Sequence, residues 1–257
     1  MHSLRPFELI AAAFFGAFAV AATASRNSQA RRGRAVFCSV ALTVLPIAAT
    51  WLSSDLRAWS GNLYLAAGYW IPALLVNTPE DASRFENWLV RSDARWQRFA
   101  LALPAWATSI LELSYLLCYV SLPTAFVFVW AMGTPADVDR FWTAVLLSGF
   151  LCYGTLPWLT SRPPRIVRGP PPAEGRLRAL NQFVLTHMGH GLNTFPSGHV
   201  ALSVAAAVQV LPISQPAGMA LLLVAFGIGA GAVAGRYHYS VDVVLGAAIG
   251  AAAALLI

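Results

Sequence analysis

Apolar residues dominate this chain in runs of helical length, separated by short polar stretches. Runs at about 9–24, 35–52, 58–76, 104–132, 140–159, from the Pro-Ser-Gly-His stretch to 211, 217–234 and 241–257 predict eight helices. Several approach the ~20 apolar residues that cross a hydrocarbon core, where only helices or a closed barrel satisfy the backbone, and the run lengths favour helices. The expected fold is all-α, a polytopic membrane bundle of about eight transmembrane helices. Pro46 and Pro72 fall inside predicted spans and read as kinks, because neighbouring helices re-satisfy the freed carbonyls. Asn77 to Phe99 breaks the pattern: Phe85, Trp88, Leu89, Trp96 and Phe99 alternate with Glu86, Arg91, Asp93, Arg95 and Arg98 at mainly helical spacing. That predicts an amphipathic helix near 80–99, either lying in the interface with its aromatic face toward lipid or packed as a plug over the bundle.

Composition strengthens the membrane assignment. The 257 residues are 58% hydrophobic and 11% charged, with a mean hydropathy of +0.62. The net charge is +6, and every cation is arginine. In a soluble chain that excess would suggest nucleic acid; here it lies in loops between spans and reads as topology and anion binding, with no nucleic-acid partner expected. Cys38, Cys118 and Cys152 lie in apolar runs without CxxC spacing, as buried small hydrophobes and not as a zinc site or disulfide framework. The first run ends in Ala22-Thr23-Ala24, which imitates a signal-peptidase site. However, Arg5 ahead of it is offset by Glu8 while Arg26, Arg31, Arg32 and Arg34 follow it, so the run reads as a retained span with its C-terminal end in the cytosol. The lack of lysine with abundant Ala, Arg and Gly fits a GC-rich bacterial genome, hence a bacterial inner membrane.

Three polar stretches carry candidate chemistry. Asn193-Thr194-Phe195-Pro196-Ser197-Gly198-His199 stands where a Pro-rich segment becomes an apolar run. Pro196 suits a first helical turn, the amides of Ser197 and Gly198 could point at an anion, and His199 would be a titratable group against it. Arg236-Tyr237-His238-Tyr239-Ser240-Val241-Asp242 joins the last two spans. If a helix begins by His238, the spacing of four puts Asp242 on its face, able to fix the tautomer and leave the other ring nitrogen nucleophilic. Thr160 to Phe195 holds Ser161-Arg162-Pro163-Pro164-Arg165 and further prolines, and predicts an extended, stiffened loop that holds its arginines apart. Glu112 is the one acid well inside a span, either functional or neutral and bonded to a neighbouring helix. His187 and His190 lack an acidic or Cys partner and read as solvated loop histidines near an anionic site; no metal or cofactor is expected.

Taken together, Arg-Pro-Pro-Arg, Pro-Ser-Gly-His and Arg-x-His-x-x-x-Asp resemble the type 2 phosphatidic acid phosphatase superfamily. Its signature is Lys-x6-Arg-Pro, Pro-Ser-Gly-His and Ser-Arg-x5-His-x3-Asp. The middle element is complete. Thr155 stands in the lysine position, and Arg236 lies two residues before His238 instead of six, which looks more like the branch with inositol-phosphorylceramide and sphingomyelin synthases. The resemblance spans Ala58 to Ile257 and implies a six-helix core at 58–257, with two added N-terminal spans at 1–57. It further implies that His238 attacks phosphorus, Asp242 orients it and His199 protonates the leaving oxygen. Arg162, Arg165 and Arg236, with Ser197 and Gly198, would hold the phosphoryl oxygens of a phosphorylated lipid in the bilayer. The expected function is a lipid phosphatase, with a headgroup transferase or a non-catalytic lipid-binding or transport bundle as alternatives. Charge bias places the active-site face in the cytosol, whereas the resemblance points outward for many bacterial members.

Overall fold

A computed structural model describes residues 3–25, 27–76, 83–169 and 175–257. Arg26, the start of the amphipathic segment at 77–82 and the prolines at 170–172 lie outside the described residues. The described chain is all-helical. The long elements are α1 (Pro6–Thr23), α2 (Gln29–Ala49), α3 (Ser54–Ala73), α6 (Ala105–Leu116), α7 (Cys118–Met132), α8 (Pro135–Tyr153), α11 (Gly198–Val210), α12 (Gln215–Ala234) and α13 (Ser240–Leu256). Between them lie α4 (Arg84–Ser92), α5 (Ala94–Leu101), α9 (Pro164–Val167) and α10 (Arg176–Met188). Three helices, α1, α2 and α12, are long and apolar enough to cross a membrane, and α6 with α7 forms a further candidate span bent by 47°, while α11 and α13 are shorter apolar helices.

Local chemistry explains where the helices start. Pro135 occupies the first turn of α8, where its missing N–H costs nothing, and Thr134 and Asp137 satisfy each other's backbone amides. Ser53 caps α3 and Ser214 caps α12 one way only, each side-chain oxygen accepting from the N–H three residues on. Pro46 lies inside an unbroken α2 and Pro72 one residue before the end of α3. α8 is apolar almost all round and accordingly sits at the centre, against α1, α3, α7, α11 and α13. On α13, Gly246 and Gly250 allow close approach to α11: a Cβ would stand 2.4 Å from the Ser197 carbonyl oxygen or 2.2 Å from that of Ala201.

Polar contacts distinguish the two ends. At one, Arg5 bonds Asp139 and the Ser54 carbonyl, Arg57 bonds Glu8, and Trp130 bonds Asp55. At the other, Asn27 bonds the Leu75 carbonyl and Arg31 that of Val76, so the first loop shares an end with the C-terminus of α3. Eight of the nine tryptophans are exposed. Trp51, Trp59 and Trp130 ring the first end and Trp70, Trp88, Trp96, Trp106 and Trp158 the second, as expected for aromatic belts at two membrane interfaces.

The expected extended loop at 160–195 is in part helical. Proline stops a helix from its interior but suits its first turn, so Pro164 opens the single turn α9; downstream of the prolines, residues 176–188 carry none and form α10.

Candidate active site

Three chain segments meet at the second end and are tied mainly through backbone. Asn193 donates its N–H to the Ser161 carbonyl (2.9 Å) and its side-chain amide to the Ser161 hydroxyl (3.2 Å) and to Asp242 Oδ2 (2.8 Å). The Arg165 N–H donates to the Arg236 carbonyl at 2.9 Å, and the Tyr239 hydroxyl to the Arg162 carbonyl at 3.0 Å. Arg236 itself takes the left-handed region, φ +58°, uncommon for a residue with a side chain. The N–H groups of Tyr237 and His238 both cap the Ala232 carbonyl at the end of α12 (2.8 and 3.0 Å), which fixes where the His238 ring leaves the chain.

His199 and His238 face each other with ring centroids 5.8 Å apart. His238 Nδ1 lies 3.5 Å from Asp242 Oδ2, an oxygen that also accepts from Asn193 and from the Tyr239 N–H (3.1 Å). The carboxylate therefore sits where it can hold the ring, leaving Nε2 on the far side. Both histidines line a cavity of about 30 Å³ together with Arg165, Tyr69, Tyr115 and Tyr237. Burial, with the nearby Arg165 charge, pushes His238 down to about 3, so its ring is neutral at physiological pH. Arg165 is lowered by burial as well, and its guanidinium has no carboxylate partner among the described residues. Buried polar atoms without partners collect here. Of fourteen such side-chain atoms among the described residues, seven belong to Tyr115, His190, Asn193, Ser197, His199, His238 and Asp242. Native interiors seldom leave polar groups unpaired, so such a cluster marks a place for a ligand.

Several expectations change. Arg162 does not enter the cavity lining; Glu86, fully buried on α4, takes its guanidinium (2.6 Å) and its backbone N–H (2.8 Å). Arg236 likewise turns away, donating to Gln97 (2.9 Å) and to the carbonyls of Arg168 and Gly169. Of the three arginines, Arg165 alone lines the cavity: Pro164 opens the single turn α9 that carries it, and its backbone N–H is pinned to the Arg236 carbonyl just past the end of α12. Pro196 stands before the N-cap and not in the first turn: α11 begins at Gly198 with Ser197 as its cap. The Ser197 N–H is already taken by the Asp242 carbonyl at 3.0 Å, so it does not point at an anion. Gly198 is required for another reason, since a Cβ would stand 2.2 Å from the Tyr153 ring. Thr155, in the signature's lysine position, donates to the Phe195 carbonyl and ties α8 to the Pro-Ser-Gly-His stretch without a charge.

The amphipathic segment packs over the bundle with its polar face inward. Glu86, Asp93 and Gln97 are buried while Trp88, Trp96 and Phe99 remain exposed; Asp93 accepts from the Ser240 N–H (2.8 Å) at the start of α13. Spacings of seven and four put these three on one helical face, a signal present in the sequence. Glu112 is an anchor: it accepts from Arg178 (2.8 Å), Asn181 (2.6 Å) and the Tyr237 hydroxyl, fastening α10 to α6 beside the site. His187 is exposed and bonds its own helix at Phe183. His190 is mostly buried, stacked on Tyr69 at 4.6 Å, and pushed down to about 4 by burial and the neighbouring His199, His238 and Arg165.

Comparison with known proteins adds one match. Residues 140–257 match the family model of the PAP2 superfamily. The match begins on α8 and takes in α11 to α13 and all three motif segments, a shorter stretch than the 58–257 expected from the motifs. It supports a lipid enzyme of phosphatase or phosphotransferase type in an integral membrane protein. No curated protein and no solved structure matches the chain.

Proposed function

We propose that this protein is a lipid phosphatase that removes a terminal phosphate from a phospholipid or polyprenyl lipid through a phosphohistidine intermediate. The observation that carries this reading is the pair His199 and His238 across a buried cavity that also presents the unpaired Arg165. In the first step His238 Nε2 attacks phosphorus, the P–O bond to the lipid breaks, and the departing oxygen takes a proton from His199. In the second, water attacks the phosphorus, His199 takes its proton, and the P–N bond breaks to release phosphate. Asp242 holds the His238 ring and stabilises its positive charge. Arg165 stabilises the equatorial oxygens as a planar donor that stays charged near lipid.

The spacing Arg236-x-His238 favours headgroup transfer as the second reading. An assay of purified protein against a panel of phosphorylated lipids separates the two. Inorganic phosphate released by the wild type and lost in His238→Ala supports the phosphatase; transfer to an acceptor alcohol without phosphate release replaces it with the transferase; neither product, with neither histidine mattering, removes both. The lipid-transport reading loses its main motive, because Glu112 is committed to Arg178, Asn181 and Tyr237. We further place residues 1–57 as two spans added to a six-span core, and the active-site end in the cytosol, since Arg31, Arg32 and Arg34 begin α2 at that end. Labelling of a cysteine introduced at Ser25 by an impermeant thiol reagent in intact cells would overturn the cytosolic placement.

A further inference from the structure

Around the cavity, two tyrosines stack face to face with centroids 4.2 Å apart and planes 18° apart: Tyr115 from α6 and Tyr237 from the α12–α13 turn. Their hydroxyls differ. That of Tyr237 is committed to Glu112, whereas that of Tyr115, a residue with no exposed surface, has no hydrogen-bond partner. Tyr115 lines the same cavity as Arg165, His199 and His238, with its ring centroid 5.9 Å from that of His199. A buried phenol left unpaired is destabilising, and the site lacks cations that its signature calls for: Thr155 replaces the lysine, and Arg162 and Arg236 are turned elsewhere.

We infer that Tyr115 is a phosphate-binding residue, its hydroxyl donating a hydrogen bond to a non-bridging phosphoryl oxygen of the substrate beside the Arg165 contact. The inference rests on the phosphatase reading of the site but concerns a residue outside the three motifs. A neutral donor suits this wall. It adds no positive charge that would lower Arg165 or disfavour the protonated histidine the reaction needs, yet a bond to a charged oxygen is stronger than one between neutral groups. The stack on Tyr237 fixes the ring, and the Glu112 anchor fixes Tyr237, so the donor is held in place before the phosphate arrives.

Tyr115→Phe removes the hydroxyl and keeps the stack. With a phosphorylated lipid that the wild type hydrolyses, the variant should lose about 10- to 100-fold in kcat/KM, the range of a hydrogen bond to a charged group. Orthovanadate inhibition, which reads phosphoryl binding separately from tail binding, should weaken by a comparable factor. Melting without ligand should be unchanged or raised, because the atom removed has no partner, while the stabilisation by inorganic phosphate expected of the wild type should shrink. A variant with wild-type kcat/KM and vanadate affinity overturns the inference, and so does a variant that loses activity only in proportion to a lowered melting temperature. Absence of phosphate release and vanadate binding in the wild type would instead count against the phosphatase reading itself, as would full activity in His238→Ala.

Discussion

Glu8 and Arg57 at one end of the bundle are buried as deeply as Asp242 and His238 at the other, but the two pairs are built differently. Both oxygens of Glu8 accept from Arg57 (2.9 and 2.6 Å), one also takes the Arg5 N–H, and Arg57 reaches on to the Ser3 carbonyl. At the other end, among the described residues, Asp242 Oδ1 and the Nδ1 atoms of His199 and His238 make no hydrogen bond, His238 Nδ1 standing 3.5 Å from Asp242 Oδ2, and Arg165 has no carboxylate. A buried charge pair is tolerated only when its remaining hydrogen bonds are made. The first end meets that condition and is a fastening among α1, α3 and α8. The second does not meet it without a ligand, and that difference separates a structural polar cluster from a reactive one more sharply than burial or charge alone.

The comparison breaks most visibly at His238. Its replacement by alanine should reduce phosphate release by about 10³-fold or more, since a nucleophile and its partners act as a unit. The melting temperature in detergent should fall less than in the ion-pair variant Glu8→Gln, because only the packing of one buried ring is lost and no buried cation is left without its partner. Glu8→Gln should do the reverse. Leaving Arg57 buried beside a neutral amide costs about 3–5 kcal/mol, a large drop in melting temperature, with turnover per folded molecule unchanged. If Glu8→Gln lowered turnover at constant folded fraction, the two ends would be coupled and the distinction would fail.

A finer version sets two arginines three residues apart, Arg162 ahead of α9 and Arg165 within it, against each other. Arg165→Ala should cost about 10²-fold in kcat/KM with stability preserved, as expected when an aimed, pre-organised donor is removed. Arg162→Ala should mainly destabilise, because Glu86 would stay buried without its cation. Measuring kcat/KM and melting for both variants decides it; equal activity losses at unchanged stability would place Arg162 in the phosphate site after all.

The helices and the meeting of the three motifs were legible in the sequence because both depend on long-range regularities: apolar runs set the spans, and span parity brings the loops to one end. Which arginine faces the ligand was not legible. Arg162, Arg165 and Arg236 are chemically alike, and their roles are set by Glu86 and Gln97 on α4 and α5, partners about eighty to one hundred and forty residues away. The same reason hid Tyr115 and Asn193, whose significance lies in a missing or a reaching hydrogen bond. Glu86, Asp93 and Gln97 could have been found, since their helical spacing defines the polar face of a segment whose aromatic face one of the two readings turned toward lipid.

The smallest expected effect separates the two loop histidines. His190, lowered from 6.5 to about 4 by burial, binds its proton less readily in the folded protein than in the unfolded chain. The unfolded state therefore takes up more protons between those values, and stability is full above pH 6.5 and declines as pH falls toward 4. His190→Gln should flatten part of that acid slope in melting temperature; the remainder belongs to groups such as His238, which is lowered to about 3. His187→Gln, at an exposed ring bonded to its own helix, is the surface control. Melting curves from pH 4 to 8 for the three proteins make the test. If the two variants behave alike, His190 is hydrated in solution and does not belong with the buried, unpaired groups that distinguish the reactive end.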